Sequence, residues 1–138
     1  MKKIFLLMTV VCASLLSFAQ TKELIQGPAI SLNKDSHDYG EVAYGGNGTC
    51  EFKVTNIGNA PLILSSCQGS CGCTVPKCDP NPILPNESSI ITVKYDTSRS
   101  GQISKSVTIN SNAVNEPVKI VSIKGNVGPA PTSNEGGQ

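Results

Sequence analysis

The chain contains no tryptophan and a single histidine, and only 4% of its 138 residues are aromatic. The histidine, His37, stands between Ser36 and Asp38. Neighbours on an extended strand point to opposite faces, so these three side chains cannot form a catalytic relay. The acidic residues are scattered singly among polar positions, with no pair placed at one site. The sequence therefore predicts no catalytic constellation, and we expect the protein not to be an enzyme.

A secretion signal is predicted over residues 1–19. Two lysines precede an apolar run over residues 4–16, and small residues lead up to Ala19, where we expect cleavage. Cys12 would leave with this leader. No later stretch is long and apolar enough to span a bilayer, so no membrane insertion is expected after cleavage. The sequence predicts an exported protein, periplasmic or extracellular.

The chain also lacks an excess of charge of either sign. It has eleven basic and ten acidic residues, and two of the basic residues lie in the leader. Such a balance gives no general electrostatic attraction to nucleic acid or to anionic membranes. We therefore expect no nucleic-acid partner.

Short stretches of alternating apolar and polar residues follow the leader. In residues 49–56, Cys50, Phe52 and Val54 share one face, a pattern typical of a half-buried antiparallel strand. Further strand patterns, separated by turn residues, begin near residues 30, 61, 89, 103 and 118. About seven short strands without helical periodicity predict a single all-β domain, an immunoglobulin-like antiparallel β-sandwich over residues 30–127.

The regions outside that pattern are predicted separately. Residues 20–29 form a polar lead-in, and the polar tail over residues 128–138 is expected to be disordered. In the last strand the alternation shifts between Ile120 and Val121, which predicts a bulge or a strand buried on both faces. Residues 66–86 are predicted as one connection of about twenty residues, because their prolines exclude a helix or a central strand. Such a long connection is uncommon unless it is functional or cross-linked.

Four of the six cysteines lie in residues 66–78, here named the cysteine-rich loop: Cys67, Cys71, Cys73 and Cys78. Cys50 is predicted to be a buried free thiol, because it shares a face with apolar neighbours. The four loop cysteines allow three disulfide pairings. We disfavour the pairing that joins Cys71 to Cys73, because one intervening residue would require a strained ring. The pairings Cys67–Cys71 with Cys73–Cys78, and Cys67–Cys73 with Cys71–Cys78, both remain open.

Two alternatives to structural disulfides use the same four cysteines. As thiolates they could hold zinc or copper, with Gly69 and Gly72 allowing the backbone to bend around the ion. The spacing lacks the paired Cys-x2-Cys knuckles of structural zinc sites, so we expect no cofactor. A thiol redox protein is the second alternative, and it predicts one disulfide that is reduced much more easily than the other.

Several separated motifs occur in a recognisable order. They are Asp38-Tyr39-Gly40, Phe52-Lys53-Val54-Thr55-Asn56-Ile57-Gly58, Pro61-Leu62, Ser70-Cys71-Gly72-Cys73-Thr74, Val93-Lys94-Tyr95-Asp96, Ser111-Asn112 and Ile123-Lys124-Gly125. Over residues 30–127 the chain resembles the bacterial family called domain of unknown function 1573 (DUF1573), which is similar to the ASH and PapD-like immunoglobulin folds. The resemblance implies an exported β-sandwich and brings no reaction with it. Members usually lack cysteines corresponding to Cys67 and Cys78.

Together these observations predict an exported, non-catalytic immunoglobulin-like module whose cysteine-rich loop is stapled by disulfides. We expect its partner to be a protein, bound through a sheet edge by strand addition or through the cysteine-rich loop.

Overall fold

A computed structural model of the chain describes residues 23–132. The predicted signal peptide over residues 1–19, with Cys12 and the expected cleavage after Ala19, lies outside the described residues. So does the predicted tail from residue 133 onward. In residues 23–132, no helix has the length and apolar character needed to cross a membrane.

The described residues form eight β-strands and no helix. The strands are β1 (Ile30–Leu32), β2 (Ser36–Val42), β3 (Thr49–Asn56), β4 (Leu64–Gly69), β5 (Thr74–Lys77), β6 (Ser88–Tyr95), β7 (Gly101–Ser111) and β8 (Val118–Val127). One sheet has the order β1-β3-β6-β5, and the other has the order β2-β8-β7-β4. All pairs are antiparallel except β2 with β8. The predicted β-sandwich is confirmed, with eight strands instead of about seven.

The core lies between the two sheets and is built by the alternation of each strand. The first sheet contributes Phe52, Val54, Ile91 and Val93, and the second contributes Ile103, Val107, Ile109, Val121 and Ile123, all at most 1% exposed. Each such side chain contributes roughly 1.5–3 kcal/mol relative to an exposed position. The hydrophobic effect therefore holds the sheets face to face, although the core contains few aromatic rings.

The prediction for β8 was wrong. The β7–β8 pairing runs from Val118 to Val127 without a register shift, so there is no bulge. Val121 and Ile123 face the core, while Val118 and Ile120 lie on the outer face with 53% and 58% of their surface exposed. The apparent shift in alternation arises because two apolar residues occupy solvent-facing positions of a regular strand.

The prediction of one long connection over residues 66–86 was also wrong. β4 continues to Gly69, and β5 begins at Thr74 within the same stretch. Pro76 is compatible with β5 because β5 is an edge strand, where a missing N–H costs least. The chain therefore passes from one sheet to the other through residues 70–73, which we name the crossing turn.

A buried asparagine organises the end of the sandwich opposite the crossing turn. The side chain of Asn56 is fully buried, and its amide nitrogen donates to the carbonyl oxygens of Ala60 at 2.7 Å and Ile83 at 2.8 Å. Its side-chain oxygen accepts from the Gly58 N–H at 2.9 Å and from the Ala29 N–H at 3.4 Å. One side chain thus supplies partners to backbone groups of two separate connections, the turn after β3 and the segment before β6.

Replacing Asn56 by alanine should destabilise the protein by roughly 2–4 kcal/mol, because four backbone groups lose their partner at a buried position. Urea unfolding monitored by circular dichroism measures the change. Asn81→Ala is the matched control: Asn81 is exposed, and its replacement should change the free energy of unfolding by no more than about 0.5 kcal/mol. Equal stability of the two variants would contradict the assigned role of Asn56.

Candidate functional site at the cysteine-rich loop

The crossing turn brings the backbones of two sheets very close together. A Cβ atom at Gly69, the last residue of β4, would clash with the carbonyl oxygen of Thr74, the first residue of β5. Glycine is therefore required at position 69. Gly72 differs, because no atom lies within 4 Å of the position that its Cβ would occupy. Its side of the turn faces open solvent.

A disulfide between Cys67 and Cys78 joins the two edge strands at this side of the sandwich. Cys67 lies on β4 opposite Ile109 and faces the core, while Cys78 immediately follows β5. Their Cα atoms are 6.3 Å apart, within the ordinary range for a disulfide. Because β4 and β5 belong to different sheets, this bond is a covalent link across the sandwich.

The second disulfide joins Cys71 to Cys73, the pairing that we disfavoured from the sequence. That expectation was wrong. The crossing turn folds the backbone at Gly72 so that the two Cα atoms lie 5.2 Å apart, inside the ordinary range. The backbone N–H of Thr74 donates to the carbonyl oxygen of Cys71, and the Asp96 N–H donates to the carbonyl oxygen of Cys73 at 2.8 Å. These bonds fix the turn independently of the sulfur atoms.

The two sulfur atoms of this disulfide have different surroundings. Cys73 is 3% exposed, whereas Cys71 is only partly buried. The Cys73 N–H donates to Cys71 Sγ at 3.3 Å. The hydroxyl of the buried Thr74 lies 3.8 Å from Cys71 Sγ and 3.7 Å from Cys73 Sγ. Sequence reasoning missed Thr74, although its position directly after Cys73 was a signal that could have drawn attention to it.

Cys50 lies apart from these disulfides, on the inner face of β3, and is a buried free cysteine. Burial raises the pKa of its thiol, and the opposing influences of Tyr39 and Lys34 do not cancel this rise. A thiol that is both buried and hard to ionise is a poor nucleophile. Cys50 is therefore suited to packing.

With both disulfides formed, none of the four loop cysteines presents a free thiolate to a metal ion. Within the part of the chain that the structure describes, no group of three or more His, Cys, Asp or Glu side chains has metal-binding geometry. Zinc or copper binding would thus require the loop to be reduced first.

The residues around His37 are arranged as the strand alternation requires. Ser36 and Asp38 are exposed, while the His37 ring stands edge-on to the Tyr39 ring at a centroid distance of 4.7 Å. The Lys34 ammonium lies 2.9 Å from His37 Nδ1. Partial burial and the Lys34 charge lower the pKa of His37 below its usual value. His37 is thus part of a local contact on an edge strand and is not joined to Ser36 and Asp38 in a relay.

These features define the class of protein: an immunoglobulin-like β-sandwich with disulfide-linked edge strands. A sequence model of the family described as "Protein of unknown function (DUF1573)" matches residues 30–127. The chain belongs to this family. No curated protein matches it.

Three solved structures share the fold. A protein of unknown function from Porphyromonas gingivalis W83 has a TM-score of 0.66 and 19% identity over 75% of this chain and 49% of that one. The ASH/PapD-like domain 7 of human CEP192 has a TM-score of 0.59 and 10% identity, covering 74% and 87% of the two chains. The YadV chaperone has a TM-score of 0.50 and 13% identity, covering 74% and 52%. The match spans about half of the Porphyromonas chain, and at these identities the likeness concerns the fold alone.

The two disulfides should contribute unequally to stability. Replacing Cys67 and Cys78 by serine should cost about 3 kcal/mol, because that bond closes a longer loop in the unfolded chain. Replacing Cys71 and Cys73 by serine should cost at most ~1.5 kcal/mol, because only one residue separates them. Urea unfolding of the two double variants measures the difference. An equal loss of stability would show that the crossing turn depends on its own disulfide.

Cys50 should resist alkylation in the folded protein. We expect N-ethylmaleimide at pH 8 to leave Cys50 unmodified in buffer and to modify it fully in 8 M urea (roughly the concentration that unfolds small domains), because folding buries the thiol and raises its pKa. Peptide mapping by mass spectrometry identifies the modified residue. Rapid labelling in buffer would contradict the packing role.

Proposed function

We propose that this protein is an exported, non-catalytic immunoglobulin-like module that binds another protein through its cysteine-rich loop. The observation that carries the proposal is the loop itself: an exposed turn cross-linked twice on a rigid sandwich whose sheet edges are obstructed. Two disulfides are typical of an oxidising compartment, which supports export to a periplasmic or extracellular location.

Strand addition needs a sheet edge with free backbone N–H and carbonyl groups, and the edge strands of the first sheet have few of them. β1 has three residues, and both the N–H and the carbonyl of Ile30 are bonded to the side chain of Asn115, at 2.9 Å each. At the other edge, β5 has four residues and carries Pro76 and Lys77. Short strands, prolines and lysines are features that natural proteins use to prevent edge pairing.

The second sheet is protected at its edges in other ways. The pairing of β2 is interrupted between Asp38 and Glu41, and both of these acidic side chains are exposed. The pairing of β4 is interrupted between Leu64 and Ser66. The disulfide of Cys67 ties β4 to the segment after β5. Because bulges and edge charges disfavour strand addition, the obstructed edges favour the cysteine-rich loop as the contact surface.

The loop has two properties that suit a protein contact. Its crossing turn is held by a disulfide and by backbone hydrogen bonds, so little conformational freedom would be lost on binding. It also presents an apolar side chain, because Val75, the second residue of β5, is 59% exposed. A rigid turn beside an exposed valine provides a preorganised anchor for a partner.

The proposal is tested by placing a photo-crosslinking amino acid at position 72 in the organism that produces the protein. Position 72 has open space for a side chain, so the fold should tolerate the change. We expect irradiation to produce a discrete adduct with another protein. The matched control is position 118, where Val118 is 53% exposed at the opposite end of the sandwich. No adduct from position 72, or an equal adduct from position 118, would refute the loop as the contact surface.

A further inference from the structure

The Cys71–Cys73 disulfide has features that a purely structural staple does not need. It closes a loop of one intervening residue, so it restricts the unfolded chain less than the Cys67–Cys78 disulfide does. It also lies at a solvent-facing turn, where nothing occupies the space beside Gly72. One of its two sulfurs can be reached from solvent, because Cys71 is partly exposed while Cys73 is 3% exposed, and thiol exchange depends on access to the sulfur that is attacked.

The turn is also built to survive reduction of this disulfide. The Asp96 N–H donates to the Cys73 carbonyl and the Thr74 N–H donates to the Cys71 carbonyl, and neither bond involves a sulfur atom. Cys67 and Cys78 keep β4 linked to the end of β5 throughout. The two thiols would therefore remain close to each other, and the ring could close again without refolding.

From these observations we infer that Cys71 and Cys73 form a redox-active pair that exchanges its disulfide stoichiometrically, without turnover, with a dithiol, in addition to the binding role proposed above. Cys71 is the sulfur that the substrate attacks, because it is more exposed than Cys73. Cys73 is the leaving sulfur. The Thr74 hydroxyl, 3.7 Å from Cys73 Sγ, can donate a hydrogen bond to the departing thiolate.

The exchange balances in two steps. A substrate thiol loses its proton to solvent, and its thiolate attacks Cys71 Sγ; the Cys71–Cys73 bond breaks, and Cys73 takes up a proton. The second substrate thiol, also deprotonated, attacks the substrate sulfur of the mixed disulfide. This forms the substrate disulfide and releases the Cys71 thiolate, which the Cys73 N–H stabilises before it is protonated. Two electrons and two protons pass from the substrate to the pair.

The first experiment compares the two disulfides of the purified protein in glutathione buffers of graded redox poise. After acid quenching and alkylation, peptide mapping reports which cysteines are free. We expect Cys71–Cys73 to open at a ratio of reduced to oxidised glutathione at least about tenfold lower than the ratio that opens Cys67–Cys78. Simultaneous opening, or earlier opening of Cys67–Cys78, would overturn the inference.

The second experiment tests the different roles of the two sulfurs with matched variants. In Cys73→Ser the thiol of Cys71 should react with the aromatic disulfide dithionitrobenzoate at least about tenfold faster than the thiol of Cys73 does in Cys71→Ser, because access limits thiol exchange. Circular dichroism establishes that both variants are folded. Equal rates, or faster reaction of Cys73, would overturn the assignment of Cys71 as the attacked sulfur.

The third experiment measures transfer to a reduced peptide that contains two cysteines. The wild-type protein should oxidise about one peptide per molecule, as the two-electron balance requires, and the double variant Cys71→Ser/Cys73→Ser should oxidise none. A wild-type protein that transfers no disulfide would refute redox activity while leaving the photo-crosslinking result, and the proposed binding role, unaffected.

Discussion

The candidate site depends on one constraint: the chain must pass from β4 in one sheet to β5 in the other within residues 70–73. This passage brings the Gly69 backbone against the Thr74 carbonyl, where a side chain at position 69 would not fit. It also turns the backbone at Gly72 tightly enough to bring the Cα atoms of Cys71 and Cys73 to 5.2 Å. The disulfide, its hydrogen-bond donors and its exposure all follow from that passage.

The two disulfides have different structural roles, one between the two sheets and one within a surface turn. Cys67–Cys78 links two edge strands that belong to different sheets, so it acts on the sandwich as a whole. Cys71–Cys73 lies within a turn that backbone hydrogen bonds already hold. A protein with few aromatic core residues gains stability from the first bond, while the second restricts the unfolded chain less because it closes a shorter loop.

Two asparagine side chains supply hydrogen-bond partners to backbone groups that no neighbouring strand reaches. Asn56 satisfies buried backbone groups of two connections, and Asn115 occupies the free edge of β1. A primary amide both donates and accepts, so it can replace a backbone peptide in either role. Asn56 therefore holds two connections of the sandwich in place, and Asn115 closes the free edge of β1 where no further strand pairs with it.

Much of the fold was accessible from local sequence patterns. The alternation of Phe52 and Val54 predicted β3 with its observed bounds, because a strand buried on one face repeats every two residues. Local patterns failed where exposure or pairing depended on distant residues. Val118 and Ile120 are apolar yet lie on the outer face, and Pro76 is accepted in a strand only because β5 is at an edge. Neither fact is encoded in the residues nearby.

The sequence by itself determined the fold class, the cysteine set and the burial of Cys50, since these depend on strand periodicity and composition. Only the tertiary structure decided which cysteines pair. Pairing depends on the distance between Cα atoms, and that distance is set by how β4 and β5 are held in different sheets by their partners β7 and β6. The same arrangement leaves Cys71 partly exposed and buries Cys73, a difference that two cysteines flanking one glycine do not reveal in the sequence.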